Sequence, residues 1–251
     1  MAAAEWWATF FDGAALATWR LAHSREEDRA EARGIEGLLG LRPGAEVLDA
    51  PCGDGRLALA LAARGHHVVG LDASTECLAL ARDEARRLQL ELGLEQGDLR
   101  ALPWHERFDA ALCAGNSFGL FDDAGNAAFL RGVARALRPG GRLLLEYPLL
   151  AELLDARPLG RDWQLFGERL LLTEAQRDAR TGRLEVLHTF LDLARPGARE
   201  ERAASYRVLA LSELEALARA SGLRVEARLG SLAGEPFGAE AEAFYLLASR
   251  A

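Results

Sequence analysis

An α/β fold, a doubly wound sheet of seven strands that is mostly parallel with its last strand antiparallel, is predicted by three observations. The first is the run Val47-Leu48-Asp49-Ala50-Pro51-Cys52-Gly53-Asp54-Gly55-Arg56. Apolar residues lead there to an acid and a glycine turn, and a helical pattern follows over 57–64. The second is an alternation of short extended runs with helical patterns of about ten or more residues, which implies right-handed crossovers. The third is a change of rhythm between Pro148 and Arg207, where extended runs take over.

Taken in order, residues 4–22 carry Trp6, Trp7, Phe10, Phe11, Leu16 and Trp19 at mostly helical spacings, with Gly13 as an interruption. These aromatics read either as core packing or as a lid over a ligand site. Ser24-Arg25-Glu26-Glu27 reads as a capping box opening a helix toward Leu41, which Arg42-Pro43-Gly44 stops. Strand one (45–50) delivers the glycine turn. Strand two (67–72) ends on Asp72, and Ser74 caps a helix to about Leu90. Strand three (93–96) closes on Gly97-Asp98, and strand four (108–114) runs into Gly115-Asn116-Ser117-Phe118-Gly119. A helix over 125–137 halts at Arg138-Pro139-Gly140-Gly141, before strand five (142–147).

Runs 163–173, 183–193 and 200–208, with turns at Thr181-Gly182 and Pro196-Gly197, predict a three-stranded antiparallel insertion near the ligand edge. Ser212-Glu213-Leu214-Glu215 reads as a second capping box, and runs 224–229 and 243–249 close the sheet as a pair. The expected organisation is an N-terminal helical lid (1–42), a cofactor-binding core (43–147), the insertion as substrate cover (148–208) and a completing helix and strand pair (209–251).

Composition narrows the chemistry. Half of the 251 residues are hydrophobic, enough for a real core. All thirty basic residues are arginine, which excludes a Walker lysine, a kinase lysine and a lysine Schiff base. A net charge of −8, with acids interleaving the arginine clusters, argues against a nucleic-acid partner. Three scattered cysteines and five scattered histidines support neither a disulfide framework nor a metal site. No stretch approaches the roughly twenty apolar residues of a membrane span, so a cytoplasmic protein, monomer or homodimer, is expected.

In an open parallel sheet the ligand lies at the carboxyl ends of the strands. Those ends carry Asp49, Asp72, Asp98 and Asn116. Asp72, seventeen residues past Gly55, is placed to accept hydrogen bonds from a ribose. A dinucleotide would set its pyrophosphate against Asp54, and like charges at about 4 Å repel by roughly 4 kcal/mol at intermediate dielectric. S-adenosylmethionine offers the same adenosine with a sulfonium and an ammonium in place of phosphates. Acids suit it.

These residues resemble a known family. Val47 to Gly55 is similar to motif I of the Rossmann-like S-adenosylmethionine-dependent methyltransferases, and Gly70-Leu71-Asp72-Ala73-Ser74 resembles its ribose-binding segment. Gly97-Asp98-Leu99 resembles the adenine-binding segment, and Leu137 to Leu143 the turn before strand five. Asn116 to Asp123 looks like the segment after strand four in a bacterial small-molecule subgroup, which also carries an antiparallel insertion before its final helix. Pro51 stands where the family has its first glycine.

The resemblance implies S-adenosyl-L-methionine as cofactor, held by Asp49, Ala50, Cys52, Gly53, Gly55, Asp72, Ala73, Asp98, Leu99 and Ala114, with no metal. The candidates for the transfer itself are Asn116, Phe118, Tyr147 and Tyr206, with Glu146, His105 and His188 considered beside them. Positioning alone can drive the displacement, so a general base is optional. The expected reaction is methyl transfer to an O or N atom of a small metabolite or natural product. The alternatives are a peptide or protein terminus as acceptor, and a non-catalytic S-adenosylmethionine-binding protein.

Overall fold

The computed structural model describes residues 5–156, 159–195 and 197–251. Residue 4, where the first helical reading begins, and Pro196, in one expected turn, lie outside them. The main sheet has seven strands: β1 (Glu46–Asp49), β2 (His67–Asp72), β3 (Gly93–Gln96), β4 (Phe108–Cys113), β5 (Leu137–Glu146), β10 (Leu223–Leu229) and β11 (Tyr245–Arg250). Their spatial order is β10-β11-β5-β4-β1-β2-β3. Only β11, wedged antiparallel between β5 and β10, runs against the rest. Alternation along β1 explains the two layers. Val47 enters the core under α3 (Arg25–Leu39) and α4 (Arg56–Ala62), while Leu48 enters the one under α6 (Asp123–Ala136) and α8 (Leu211–Ala220).

Local signals fix the helix starts. The Ser24 hydroxyl accepts the Glu27 N–H at 3.2 Å and the Glu27 carboxylate accepts the Ser24 N–H at 2.7 Å, a complete box for α3. The Ser74 hydroxyl caps α5 (Thr75–Leu88) by accepting the Cys77 N–H. α8 begins two residues earlier than expected, with Ala210 as its N-cap and Leu211 its first residue, so Ser212 lies inside it. Glu213 accepts the N–H of Ala210, which has no side-chain oxygen to reciprocate.

The insertion corrects the sequence reading. It has four antiparallel strands, β6 (Arg161–Phe166), β7 (Arg169–Asp178), β8 (Arg183–Asp192) and β9 (Arg199–Arg207), in meander order. The run 163–173, expected to be one strand, is a hairpin whose turn sits at Gly167-Glu168. Gly13 does break the N-terminal helix, into α1 (Trp7–Phe10) and α2 (Gly13–Trp19). Ala15 of α2 packs on Leu171 and Phe190 of the insertion, and the Trp6 indole donates to the Ser205 carbonyl at 3.0 Å. Cap helices and insertion therefore dock on each other beside the carboxyl edge of the sheet. The short α7 (Ala151–Asp155) links β5 to the insertion. Among the described residues no helix is long and apolar enough to cross a membrane.

Candidate active site

A cavity of about 770 Å³ lies between the carboxyl edge of the main sheet and the cap. That volume falls within the ~300–1,000 Å³ typical of small-molecule sites. Its floor comes from the turn after β1 and from the ends of β2 and β4. Its roof includes Trp7, Phe10, Phe11, Trp19 and Tyr206.

At one end the glycine turn is laid bare. Gly53 and Gly55 hold left-handed φ angles of 55° and 82°. A Cβ on Gly53 would meet nothing within 4 Å, whereas one on Gly55 would come within 2.9 Å of the Ala81 Cβ. The first glycine leaves room for a ligand and the second lets α4 close on α5. Pro51 follows a cis peptide and lines the cavity.

Asp72 fixes this turn from the side: its Oδ2 accepts the Gly53 N–H at 2.8 Å and its Oδ1 accepts the Ser74 N–H at 2.9 Å. Burial raises its pKa against the pull of those bonds. Asp49 is 3% exposed, and burial pushes its carboxyl up to about 7, with Arg56 opposing and Asp72 adding to the shift. Among the described residues no salt bridge reaches Asp49 or Asp72. Asp54 differs from expectation, since Arg20 at the end of α2 pairs with it at 3.2 Å. Preference for a cation over a phosphate therefore rests on the two buried acids.

Asp49, Cys52, Gly53, Asp72, Ala73, Leu99 and Ala114 all line the cavity. Ala50, Gly55 and Asp98 are not among its lining residues. The Asp98 carboxylate is engaged by the Arg100 guanidinium at 2.6 Å, which holds it below the usual range, and it also accepts the Arg100 N–H. Arg100 in turn stacks 5.2 Å over the rings of Trp7 and Phe121.

The transfer candidates divide. Asn116 and Tyr206 line the cavity. The Asn116 Oδ1 is buried without a hydrogen-bond partner, and among the described residues the Tyr206 hydroxyl has none either. The Tyr206 ring sits edge-on to Trp6 at 4.9 Å. Phe118 and Tyr147 are buried in the core and are absent from the lining; their rings pack together at 5.5 Å. The Tyr147 hydroxyl donates to the Arg207 carbonyl and accepts the Leu209 N–H at 3.1 Å, a structural bolt. His188 lies between Phe10 and Trp19, and burial lowers its pKa to about 4, so it is neutral; His105 is exposed. Neither histidine lines the cavity.

Sequence reasoning missed a polar corner. Arg56, directly after the glycine turn, bonds Asp28 at 2.9 Å and Glu31 at 2.7 Å. Arg56, Asp28, Glu31 and Tyr245 all line the cavity. The i,i+3 spacing of Asp28 and Glu31 was the available signal. Around the whole wall seven acids face four arginines. A bare Gly53, buried acids and an acid-rich wall fit S-adenosylmethionine, which Asp49, Gly53, Asp72 and Leu99 would hold.

Comparison with known proteins agrees. A family model described as a methyltransferase domain matches residues 47–141. A cypemycin N-terminal methyltransferase from Streptomyces sp is 35% identical over 217 residues, 82% of this chain and 84% of that protein. The CcbJ methyltransferase from Streptomyces caelestis shares the fold with a TM-score of 0.80 at 20% identity, covering 97% of this chain and 98% of that one. S-adenosylmethionine-bound CalS10, an amino pentose methyltransferase from Micromonospora echinaspora, aligns with a TM-score of 0.69 at 25% identity, covering 96% and 98%. Matched to such a relative along most of both chains, this chain belongs to the S-adenosylmethionine-dependent methyltransferases.

Proposed function

We propose that this methyltransferase acts on an amine nitrogen of a small metabolite or natural product. When bound, the cofactor supplies an electrophilic methyl group on a sulfonium. The chain's residues then have to exclude water and hold the acceptor lone pair in line. What supports the reading is two cavity-lining side chains with uncommitted polar groups, the Asn116 Oδ1 and, among the described residues, the Tyr206 hydroxyl. A carboxamide oxygen takes an N–H, and a phenol can take or give one. Together they orient an amine, yet neither strips a proton from an alcohol. Burial keeps the Tyr206 hydroxyl protonated, and among the described residues His23 alone of the histidines reaches the wall, where it faces Glu31 at 3.7 Å. An amine arriving as free base needs no such base. The excess of acids in the wall favours a cationic or neutral acceptor over an anionic one.

The second reading is the terminal amine of a peptide. It is favoured by the similarity to a cypemycin N-terminal methyltransferase, while the amino pentose methyltransferase supports the small-amine reading. The test is transfer of a radiolabelled methyl group from S-adenosylmethionine to amino sugars, small aliphatic amines, short peptides with free amino termini, and phenols. Label in the amines and not the phenols is expected. Strong preference for the peptides favours the second reading, and label confined to phenols overturns nitrogen as the acceptor.

A further inference from the structure

Gly115 and Asn116 follow β4 with left-handed φ angles of 72° and 58°. Asparagine is among the side-chain-bearing residues that enter that region most readily, and a neighbouring group can hold the turn there. Glu146, the last residue of β5, does so. Its Oε2 accepts the Gly115 N–H at 2.6 Å. That bond ties the loop after β4 to the end of β5, 31 residues further on.

Glu146, Gly115 and Asn116 all line the cavity. Across the sheet Glu146 faces Tyr245 in the β5–β11 ladder, and among the described residues no salt bridge draws it away. The carboxylate is held chiefly by the turn it closes. That turn presents the buried, partnerless Asn116 Oδ1.

We propose that Glu146 is a positioning residue: by accepting the Gly115 N–H it fixes the Gly115-Asn116 turn and so holds the Asn116 carboxamide in the cavity wall. The last step rests on the amine reading of Asn116; the clamp on the turn does not. A carboxylate that only clamps can be replaced by an amide, whose carbonyl oxygen still accepts an N–H. One that takes a proton from the acceptor cannot. Glu146→Gln and Glu146→Ala therefore separate the two roles.

The experiment has two readouts on the full chain. The first is amide hydrogen exchange at Gly115 and Asn116, followed by NMR with S-adenosylhomocysteine bound. The second is steady-state methylation of benzylamine and of trialanine. Glu146→Ala is expected to speed exchange at the Gly115 amide by roughly tenfold or more. It should raise the acceptor KM by roughly tenfold with a smaller change in kcat, and leave S-adenosylhomocysteine affinity within about twofold. Glu146→Gln should restore most of both readouts. Unchanged exchange in Glu146→Ala overturns the clamp, and so does a Glu146→Gln as impaired as the alanine variant. If neither probe is methylated by the wild type while exchange responds as stated, the clamp is supported and the amine reading is what fails.

Discussion

At the glycine-turn end of the cavity the polar groups answer one another: Asp72 takes the N–H groups of Gly53, 19 residues away in sequence, and of Ser74, two residues away, and so braces the turn. Elsewhere in the cavity wall the Asn116 Oδ1, the Tyr206 hydroxyl and the Trp19 Nε1 find no partner among the described residues. Their frame is long-range, as in the Trp6–Ser205 hydrogen bond between residues 199 apart in sequence. A common cofactor can be met by a prebuilt local turn. A particular acceptor is met by groups left open on elements that only tertiary folding brings together.

The strongest way to break this contrast is Asp72→Ala. It removes the carboxylate expected to accept the ribose hydroxyls and, with it, the brace on Gly53, so S-adenosylmethionine affinity should fall by roughly a hundredfold or more in calorimetric titration. An unchanged Kd would show that the turn does not depend on it.

Asp49 offers a test by pH. Its carboxyl rises from 3.8 to about 7 on burial, so the cofactor-free folded protein keeps a proton that the unfolded chain releases across that window. Stability should fall as pH rises through the window. Asp72 and Glu146 are shifted the same way, so the effect is read as a difference from Asp49→Asn. That variant should flatten the pH dependence of the urea midpoint. A parallel curve would remove Asp49 as its source.

Two tyrosines sharpen the comparison further. Tyr147→Phe deletes a hydroxyl bonded to both Arg207 and Leu209, and should cost about 1–3 kcal/mol of unfolding free energy. Tyr206→Phe deletes a hydroxyl that has no partner among the described residues, and should change stability by less than about 0.5 kcal/mol. Equal losses in urea unfolding would mean that the Tyr206 hydroxyl is structurally engaged after all.

The same divide governs what the sequence disclosed. Strand-ending acids, the glycine turn and the Ser24 box are local patterns, and the doubly wound sheet follows from their order. The insertion was miscounted because the Gly167 turn lies within a run that is apolar on both sides, with no proline or Asn-Gly to mark it. The aromatic N-terminus divides: Trp6 packs against Tyr206, while Trp7 and Trp19 line the cavity. Phe118 and Asn116 sit two residues apart in one loop, yet one faces the core and the other the ligand space. Spacing alone does not tell a loop residue which way to turn.

The separation of the two ends is tested most directly by titrating S-adenosylmethionine into the wild type, Asp72→Ala and Tyr206→Phe. The expected result is a loss of roughly a hundredfold for Asp72→Ala and a change within about twofold for Tyr206→Phe. Comparable losses in both variants, or none in Asp72→Ala, would contradict a cavity with a fixed donor end and an independent acceptor end.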